Sequence, residues 1–495
     1  MDLSRALESM AWHAKGEVLP RPPLVFGSTY IRDITMRMIL NLERAGLSQH
    51  LIAGINALVR DNCISFATGC SGTDSPSLGF QALHQTLCAF GISAPCFSHV
   101  ACAEINQKKH AIMKTVQRLA GGEAQHTFLD LGDLAASQCT SSIFVAGFSC
   151  ILLSRLNPYQ ATDAHRNCIS SEYGQTGQTF KSTCVFHDRR RITLYGSILE
   201  NVPALKDGDQ IDDVIKVLLD SGFYSTFREV SGRKCGMPVS RDRLYIPTWN
   251  EMMLRSRGVA FESVSVLFNH AMEITERDHP PEDINDYLLD DTHAAVLQSR
   301  AVARGATNAA RRPGRPLKRK TSNPENVAKW VGRLKPAAPQ LTNWTEDAGQ
   351  RYPEYYMLGA RKKELLDKHG ICFPHHTCTL MELSQSGANG MHRNGISPCI
   401  TPGCYIWICD RARKMKAVEC LRLQGIFLPE DIVAGIGFDD KIMKDMAGNA
   451  FNLVSFQTVL LSWIVTIGFA FASDASKESS PTIACLESEV EWDEI

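Results

Sequence analysis

Short apolar runs alternate with helical stretches between residues 64 and 250, and this alternation restricts the fold more than any other feature. The candidate strands are 64–68, 98–103, 127–129, 143–146, 192–199 and 243–248. The intervening stretches with helical spacing are 75–90, 106–120 and 208–222. Such an order predicts a parallel sheet covered by helices on both faces. We therefore expect an α/β protein with a doubly wound sheet.

The remaining sequence divides around this α/β region. Residues 31–60 have the spacing of two amphipathic helices broken near Gly46, and composition shifts after residue 250. We expect an N-terminal helical segment at 1–60, a catalytic cofactor-binding domain at 61–250 and an insert at 251–395. A C-terminal return to the catalytic domain is expected at 396–472, and an acidic disordered tail at 473–495.

Charge is balanced over the whole chain but not along it. The 495 residues contain 52 Lys and Arg against 53 Asp and Glu, which argues against a protein that coats nucleic acid along its length. Residues 300–335 nevertheless contain eleven basic residues against the single Glu325, a local net charge of +10. Acidic stretches at 282–291 and 473–495 offset this segment. A local basic surface is therefore compatible with the near-neutral total.

Two further patterns concern the location of the protein. The most apolar run, 456–471, is about 16 residues long, so we expect a buried helix and no membrane span. Residues 1–16 carry charges and no apolar secretory region. Seventeen cysteines without such a signal indicate reduced intracellular thiols.

Glycines and acids follow the first three predicted strands. Gly69 and Gly72 lie in the turn after the first strand, where a nucleotide-like ligand can approach backbone N–H groups. Glu104 ends the second strand, where it could accept hydrogen bonds from ribose hydroxyls, and Asp133 ends the third, where it could meet an adenine amino group. Alternatively, the glycines only form a turn and both acids are solvated.

The later strand ends carry reactive side chains. Cys150 follows the fourth strand, where a thiolate could act as a nucleophile. Glu200 ends a later strand, and Arg241 and Arg243 precede another. These residues suit covalent attack on a base that must also be protonated. Each residue alone could equally be a buried thiol, a loop acid or an ion-paired arginine.

The order of these motifs resembles that of the cytosine-5 DNA methyltransferases. That family has G-x-P-C, E-N-V, Q-x-R-x-R, R-L-Q-G and G-N-A in sequence, and this chain has related motifs at 147–150, 200–202, 241–243, 422–425 and 448–450. The resemblance covers about residues 61–250 and 396–465. It implies a DNA (cytosine-5-)-methyltransferase with a Rossmann-like sheet that uses S-adenosylmethionine, and a smaller target-recognition domain formed by the insert.

The resemblance also implies a role for each matched residue. Cys150 would add to C6 of cytosine, while Glu200 would protonate or hydrogen-bond N3. Arg243, with Arg241 nearby, would hold O2 and orient Glu200. C5 would then take the methyl group of the cofactor, and loss of the C5 proton would release the enzyme. The cytosine must be flipped out of the duplex. The predicted cofactor residues are Gly69, Gly72, Glu104, Asp133 and Asn449.

Several positions depart from the family pattern. Ser149 replaces the usual Pro, Ile151 the usual Gln or Asn, and Val239 the usual Gln. Ser65 and Ala67 stand where an acid and an aromatic residue are usual. These departures leave one rival open, a catalytically weak methyltransferase-like protein that binds DNA or acts as a scaffold. A second rival is a cytosine-5 methyltransferase of transfer RNA, because one branch of the family has that substrate.

The insert contains a basic segment, 311–320, with the sequence RRPGRPLKRK. It resembles an AT-hook, whose Gly-Arg-Pro core lies in a narrow A·T-rich minor groove. Pro313 stands where an Arg is usual, so the match is partial. The segment could also serve as a nuclear import signal or be a solvated linker. We expect contact with double-stranded DNA and a nuclear location, with the minor groove contacted by Arg312, Gly314, Arg315 and Pro316.

Cysteines and histidines cluster between residues 372 and 409. Their spacing contains no C-x-x-C pair, so we expect no metal site. The residues concerned are Cys372, His375, His376, Cys378, His392, Cys399, Cys404 and Cys409.

Overall fold

The computed structural model describes residues 27–472 with gaps. The description leaves out residues 71, 93, 155–166, 208, 278, 280–281, 311–352, 360, 364, 367–378, 385–391 and 436–439. Three predicted features therefore lie outside the described residues. They are the AT-hook-like segment 311–320, the cysteines and histidines at 372–378, and the acidic tail 473–495.

Eight of the described strands form the main sheet. Their spatial order is β3-β2-β1-β4-β5-β8-β6, and β7 also pairs with β8. The bounds are β1 Cys63–Gly69, β2 Cys96–Ala103, β3 His126–Phe128, β4 Ile143–Gly147, β5 Gly196–Asn201, β6 Phe223–Ser225, β7 Arg228–Ser231 and β8 Asp242–Asn250. The predicted α/β fold is confirmed.

The sheet is parallel only through its first five strands. Strand β8 is antiparallel to β5, and β6 and β7 are antiparallel to β8. The predicted parallel sheet is therefore confirmed for its first five strands, and this edge departs from it. The physical reason is the short connection from β7 to β8, which contains only a 3-10 turn, Gly232–Cys235, and cannot make the crossover that parallel strands need.

Helices cover the sheet, and those predicted before it and between its first strands are confirmed. The two N-terminal helices break at Gly46, as expected. The bounds are α1 Gly27–Arg44, α2 Ser48–Leu58, α3 Ser75–Ala89, α4 Gln107–Leu119, α5 Leu131–Ala136, α6 Gly174–Arg189, α7 Gln210–Asp220, α8 Glu251–Ser256, α9 Phe261–Thr275, α10 Ala294–Ala310, α11 Pro353–Tyr356, α12 Ala417–Arg422, α13 Glu430–Gly435, α14 Asp440–Asn449 and α15 Leu453–Ala472.

Some predicted elements begin or end elsewhere. The strand expected at 192–199 begins only at Gly196, and Ile192 is 87% exposed in the preceding turn. Residues 413–424 have a helical pattern in the sequence, but only α12 is helical there, because the first two residues form β12, Arg413–Lys414. Helix α6 was not predicted, because small and polar residues such as Thr176 and Gly177 occupy its buried face and weaken its apolar periodicity.

Helix α15 is the centre of the main core. The stretch Asp440–Ala472 is long and apolar enough to cross a membrane, but 94% of its most apolar window is buried in the protein. The expected buried helix is therefore confirmed. Trp463 donates from Nε1 to the carbonyl oxygen of Thr248 at 2.9 Å, and Trp249 donates to Oγ1 of Thr466 at 2.8 Å. These reciprocal hydrogen bonds join α15 to strand β8.

Glycine allows α15 to pack closely against α2. A Cβ atom on Gly468 would lie 1.7 Å from the carbonyl oxygen of His50. A Cβ atom on Gly54 would lie 2.1 Å from the carbonyl oxygen of Ile464. The two backbones therefore approach at a distance that only glycine permits at these two positions.

The core continues into the region expected to be the insert. Helix α9 buries Val264, Phe268 and Ala271 in the same core as α15. A second sheet, of spatial order β10-β9-β11-β12, crosses the expected boundary at 395–396. Its strands are β9 Thr379–Glu382, β10 His392–Asn394, β11 Ile406–Ile408 and β12 Arg413–Lys414. The smaller unit therefore shares residues with the expected C-terminal return.

One pair of cysteines differs from the expectation of reduced thiols. Cys63 and Cys96 are register partners on β1 and β2, with Cα atoms 4.8 Å apart, and they form a disulfide bond. Cys150 and the eleven other described cysteines are thiols.

Candidate active site

The carboxyl ends of β4 and β5 bring two of the predicted site residues together. Gly147 and Glu200 are register partners on these strands. A Cβ atom on Gly147 would lie 3.2 Å from Oε2 of Glu200, so the carboxylate lies beside the end of strand β4, which leads to Cys150. The absence of a side chain at residue 147 leaves room for this approach.

Glu200 forms an ion pair with Arg243. Nε of Arg243 lies 2.9 Å from Oε1 of Glu200, and both side chains are nearly buried, with 12% and 13% exposure. Burial raises the pKa of Glu200, although Arg243 and Arg241 act in the opposite direction. Tyr245, the register partner of Glu200 on β8, is also buried. Such a carboxyl group holds a proton more readily than an exposed one and can serve as a general acid.

Cys150 occupies the first turn beyond β4. Its carbonyl oxygen accepts hydrogen bonds from the N–H groups of Leu153 and Ser154 at 3.0 and 2.9 Å. Burial and the charge of Glu200 raise the pKa of the Cys150 thiol, while Arg243 and Arg241 lower it. The resting side chain is therefore a thiol, and its ionisation depends on the charges of Glu200 and the two arginines.

The loop that carries Cys150, residues 148–154, is anchored to β5. Nδ2 of Asn201 donates a hydrogen bond to the carbonyl oxygen of Phe148 at 3.0 Å, and both side chains are buried. The Asn of the E-N-V motif thus fixes the strand end from which residues 148–154 depart.

Arg241 contacts backbone carbonyl groups. Its Nη1 donates to the carbonyl oxygen of Ile400 at 2.7 Å, and its Nη2 donates to those of Gly448 and Ala450 at 3.1 and 2.6 Å. Only 2% of the residue is exposed. Of the two predicted arginines, the structure therefore joins Arg243 to Glu200, and it joins Arg241 to the segment that contains Asn449.

Cys399 is a site residue that the sequence did not predict. Its thiol is hydrogen bonded to Arg243. Burial would lower the pKa of Arg243, but Cys399 and Glu200 outweigh this effect and raise it. The N–H of Ser240 donates to the carbonyl oxygen of Ser397, and the N–H of Ser397 donates to that of Pro238, so the Cys399 loop is held beside the Arg motif. No motif signals this contact, because it joins distant parts of the chain.

The glycine turn and Glu104 form a crevice at the ends of β1 and β2. The N–H of Gly72 donates to Oε2 of Glu104 at 3.1 Å, and the N–H of Asn106 donates to Oε1 at 2.9 Å. Gly72 has a φ of +56°, and a Cβ atom there would lie 3.6 Å from the backbone of Asn449. A Cβ atom on Gly69 would lie 2.7 Å from Leu131. The predicted residues Gly72, Glu104 and Asn449 therefore meet, whereas Gly69 packs against Leu131.

Asp133 is not at a strand end. Strand β3 ends at Phe128, and Asp133 is exposed on the first turn of α5. Asp130, three residues earlier, precedes α5 and accepts a hydrogen bond from the N–H of Gly132. Burial raises the pKa of Cys70 to about 12, and Glu104 and Asp130 contribute to that shift. Asp130 and Glu104 thus both lie near Cys70, and the signal of Asp130 in the sequence is its place as the first acid after the strand.

The crevice fits a nucleoside-like cofactor. Large apolar side chains follow β2 and β3, and they are unusually exposed, Ile105 at 65% and Leu129 at 45%. They could cover the faces of a planar base, while Glu104 accepts hydrogen bonds from a ribose. The hydroxyl of Thr73 is buried without a hydrogen-bond partner among the described residues. Within the described part of the chain, no cluster of three or more His, Cys, Asp or Glu side chains could hold a metal ion.

Comparisons with known proteins agree with this geometry. The chain is 24% identical over 460 residues to "DNA (cytosine-5-)-methyltransferase DMT5" of Cryptococcus neoformans var. grubii, covering 86% of this chain and 18% of the relative. It is 22% identical over 466 residues to the protein of the same name from Verticillium dahliae, covering 80% and 19%. The chain thus spans about a fifth of the length of these curated relatives.

Two further comparisons are less informative. No family model matches the chain. The crystal structure of the S. pombe Dnmt2 methyltransferase aligns with a TM-score of 0.42 and 13% identity, covering 81% of this chain and 97% of that one.

The assignment to a family therefore depends on the curated relatives, together with the ordered motifs and the convergence of Cys150, Glu200 and Arg243 at neighbouring strand ends. On this basis, the chain is similar to the cytosine-5 methyltransferases.

Proposed function

We propose that this protein is a DNA (cytosine-5-)-methyltransferase that uses S-adenosylmethionine. The observation that carries the proposal is the Glu200–Arg243 ion pair beside Cys150, at the ends of adjacent strands. A thiol, a carboxyl group whose pKa burial raises and a guanidinium paired with it suit nucleophilic addition to a pyrimidine. The curated relatives named DNA (cytosine-5-)-methyltransferase support the same chemistry.

Each side chain has one task in the proposed reaction. The Cys150 thiolate adds to C6 of cytosine, which makes C5 nucleophilic. Glu200 protonates or hydrogen-bonds N3 and so stabilises the charge that develops on the ring. Arg243 holds Glu200 and donates to O2 of the base. After C5 is methylated, loss of its proton expels Cys150 by β-elimination. Arg241 contributes indirectly, by holding the Gly448–Ala450 backbone.

The cofactor supplies an electrophilic methyl group when bound. Glu104 would accept hydrogen bonds from its ribose hydroxyls, and Asp130 is better placed than Asp133 to meet the adenine amino group. Ile105 and Leu129 would exclude water from the faces of the adenine.

The DNA substrate and the nuclear location are also part of the proposal. C5 and C6 of cytosine are inaccessible within a duplex, so the enzyme must flip the base out at a cost of a few kcal/mol. The basic segment 311–320 would contribute sequence-independent attraction to DNA and a contact with the A·T-rich minor groove.

One assay tests the function. The protein is incubated with labelled S-adenosylmethionine and either double-stranded DNA or transfer RNA, beside Cys150→Ala and a control, Cys139→Ala, which removes another partly buried free thiol. We expect label on DNA from the parent and the control but none from Cys150→Ala. Covalent trapping on DNA containing 5-fluorocytosine should have the same Cys150 dependence.

The other outcomes are equally clear. Label only on transfer RNA would replace DNA as the substrate. DNA binding without any Cys150-dependent label would favour a scaffold protein and contradict the proposed activity.

A further inference from the structure

The residue before Cys150 has a backbone donor that proline would lack. Cytosine-5 methyltransferases usually have Pro at this position, whereas this chain has Ser149. A partly buried N–H group needs a hydrogen-bond partner. The N–H of Ser149 donates to Oγ1 of Thr179 on helix α6 at 3.0 Å. This chain has serine in place of proline, and it thus also has an acceptor for the N–H group that serine introduces.

A second threonine, three residues before Thr179, makes the same kind of contact with the residue three positions after Ser149. The N–H of Leu152 donates to Oγ1 of Thr176 at 3.2 Å. Residues 176 and 179 are one turn apart and lie on the same face of α6. Ser149 and Leu152 lie on either side of Cys150, so the two hydrogen bonds hold the loop on both sides of the nucleophile.

The hydroxyl of Thr179 is oriented to accept. It donates to carbonyl oxygens of the preceding helical turn, those of Gln175 at 2.8 Å and Thr176 at 3.1 Å. Its hydrogen is therefore directed into the helix, and a lone pair remains for the N–H of Ser149. The hydroxyl of Ser149 itself is buried without a partner among the described residues, so the main chain of Ser149 makes the contact.

We propose that Thr176 and Thr179 are positioning residues that hold Cys150 for attack, and that the Thr179 hydrogen bond replaces the rigidity that proline usually provides. This inference rests on the proposed function for its effect on turnover. Proline restricts the conformations of a loop by fixing φ, whereas a hydrogen bond restricts them by fixing the direction of an N–H group. Loss of the Thr179 hydroxyl should matter only while residue 149 has an N–H group.

The test compares Thr179→Val with Thr179→Ser, which keeps the hydroxyl. Two readouts are used, the rate of covalent trapping on 5-fluorocytosine DNA and the rate of Cys150 alkylation by iodoacetamide, followed by peptide mass spectrometry. We expect Thr179→Val to slow trapping about tenfold at saturating DNA, the equivalent of about one lost hydrogen bond, with an unchanged KM. Alkylation should become several-fold faster, because the loop exposes Cys150 more often.

Two further variants separate positioning from stability. Thr183→Val is the matched control, because the buried Thr183 hydroxyl donates only within α6, to the carbonyl oxygen of Thr179. It should leave both rates at parental values. The double variant Ser149→Pro with Thr179→Val removes the N–H that needs an acceptor, and it should restore both rates.

Equal rates for Thr179→Val and the parent would overturn the inference. So would a double variant that remains as impaired as Thr179→Val while it melts at the parental temperature. If the double variant with Ser149→Pro does not fold, the difference in rates between Thr179→Val and Thr179→Ser still tests the inference. Absence of trapping in every variant, with the alkylation pattern as expected, would refute the proposed function and leave the positioning role intact.

Discussion

Replacement of Arg241 by Met should lower the free energy of unfolding more than any substitution of a surface residue. The guanidinium donates three hydrogen bonds to buried carbonyl oxygens, at 2.6 to 3.1 Å. Hydrogen bonds from a charged donor contribute roughly 1.5–3 kcal/mol each. Removal of the buried charge also removes its desolvation penalty, which is several kcal/mol and offsets part of that sum. We therefore expect the free energy of unfolding to fall by about 3 kcal/mol.

Urea denaturation followed by tryptophan fluorescence measures this loss. Trp249 and Trp463 are fully buried in the core that Arg241 joins to the 448–450 segment. The matched control is Arg255→Met, because Arg255 is 71% exposed and forms an ion pair with Glu251 on its own helix. We expect the control to leave the free energy of unfolding close to its parental value.

A loss below about 1 kcal/mol for Arg241→Met would refute the reasoning, since that is an ordinary effect for any substitution. If Arg241→Met keeps the parental stability but no longer recognises O2 of cytosine, Arg241 instead has a direct role at the substrate.

Three other changes have distinct expected results. Gly468→Ala should lower the melting temperature by several degrees, because its Cβ atom overlaps the backbone of α2. Glu200→Gln should lower the pKa of the Cys150 thiol, because the negative charge that disfavours the thiolate is removed, so alkylation should begin at a lower pH. Glu104→Gln should weaken binding of S-adenosylhomocysteine about tenfold in calorimetry, because an uncharged amide is a poorer acceptor for ribose hydroxyls.

The first two changes have a control variant, and the third has an outcome that would contradict it. Gly122→Ala places its Cβ atom in open space and should leave the melting temperature unchanged; equal losses in the two glycine variants would contradict the packing argument. Glu123→Gln, at an exposed carboxyl, should not move the pH dependence of Cys150 alkylation. Parental affinity in Glu104→Gln would mean that the carboxylate serves the glycine turn and not the cofactor.

The sequence predicts the first half of the sheet well, because its strands are apolar and end in glycines or acids. Strands β1, β2 and β4 lie within two residues of their predicted ends. The order of the motifs also predicts that Cys150, Glu200 and Arg243 come together, since neighbouring strand ends share one edge of a sheet.

What the sequence does not predict depends on contacts across long separations. Arg241 binds carbonyl groups 159 and 207 positions away, and the partner of Arg243 includes Cys399 in an unrelated loop. The error at Asp133 has a local cause, because α5 begins at Leu131, three residues after β3 ends. A single apolar pattern cannot separate a short strand from the helix that follows it so closely.

The position of α15 has a consequence for how the chain acquires its structure. This helix forms the centre of the core, and Gln457 within it donates to Thr35, 422 positions earlier. Helix α2 packs mainly against α15, so its apolar face stays exposed until nearly all described residues have left the ribosome. Such non-local contacts slow folding and leave apolar surface exposed meanwhile. We expect the nascent chain to depend on chaperones until residue 472 has emerged.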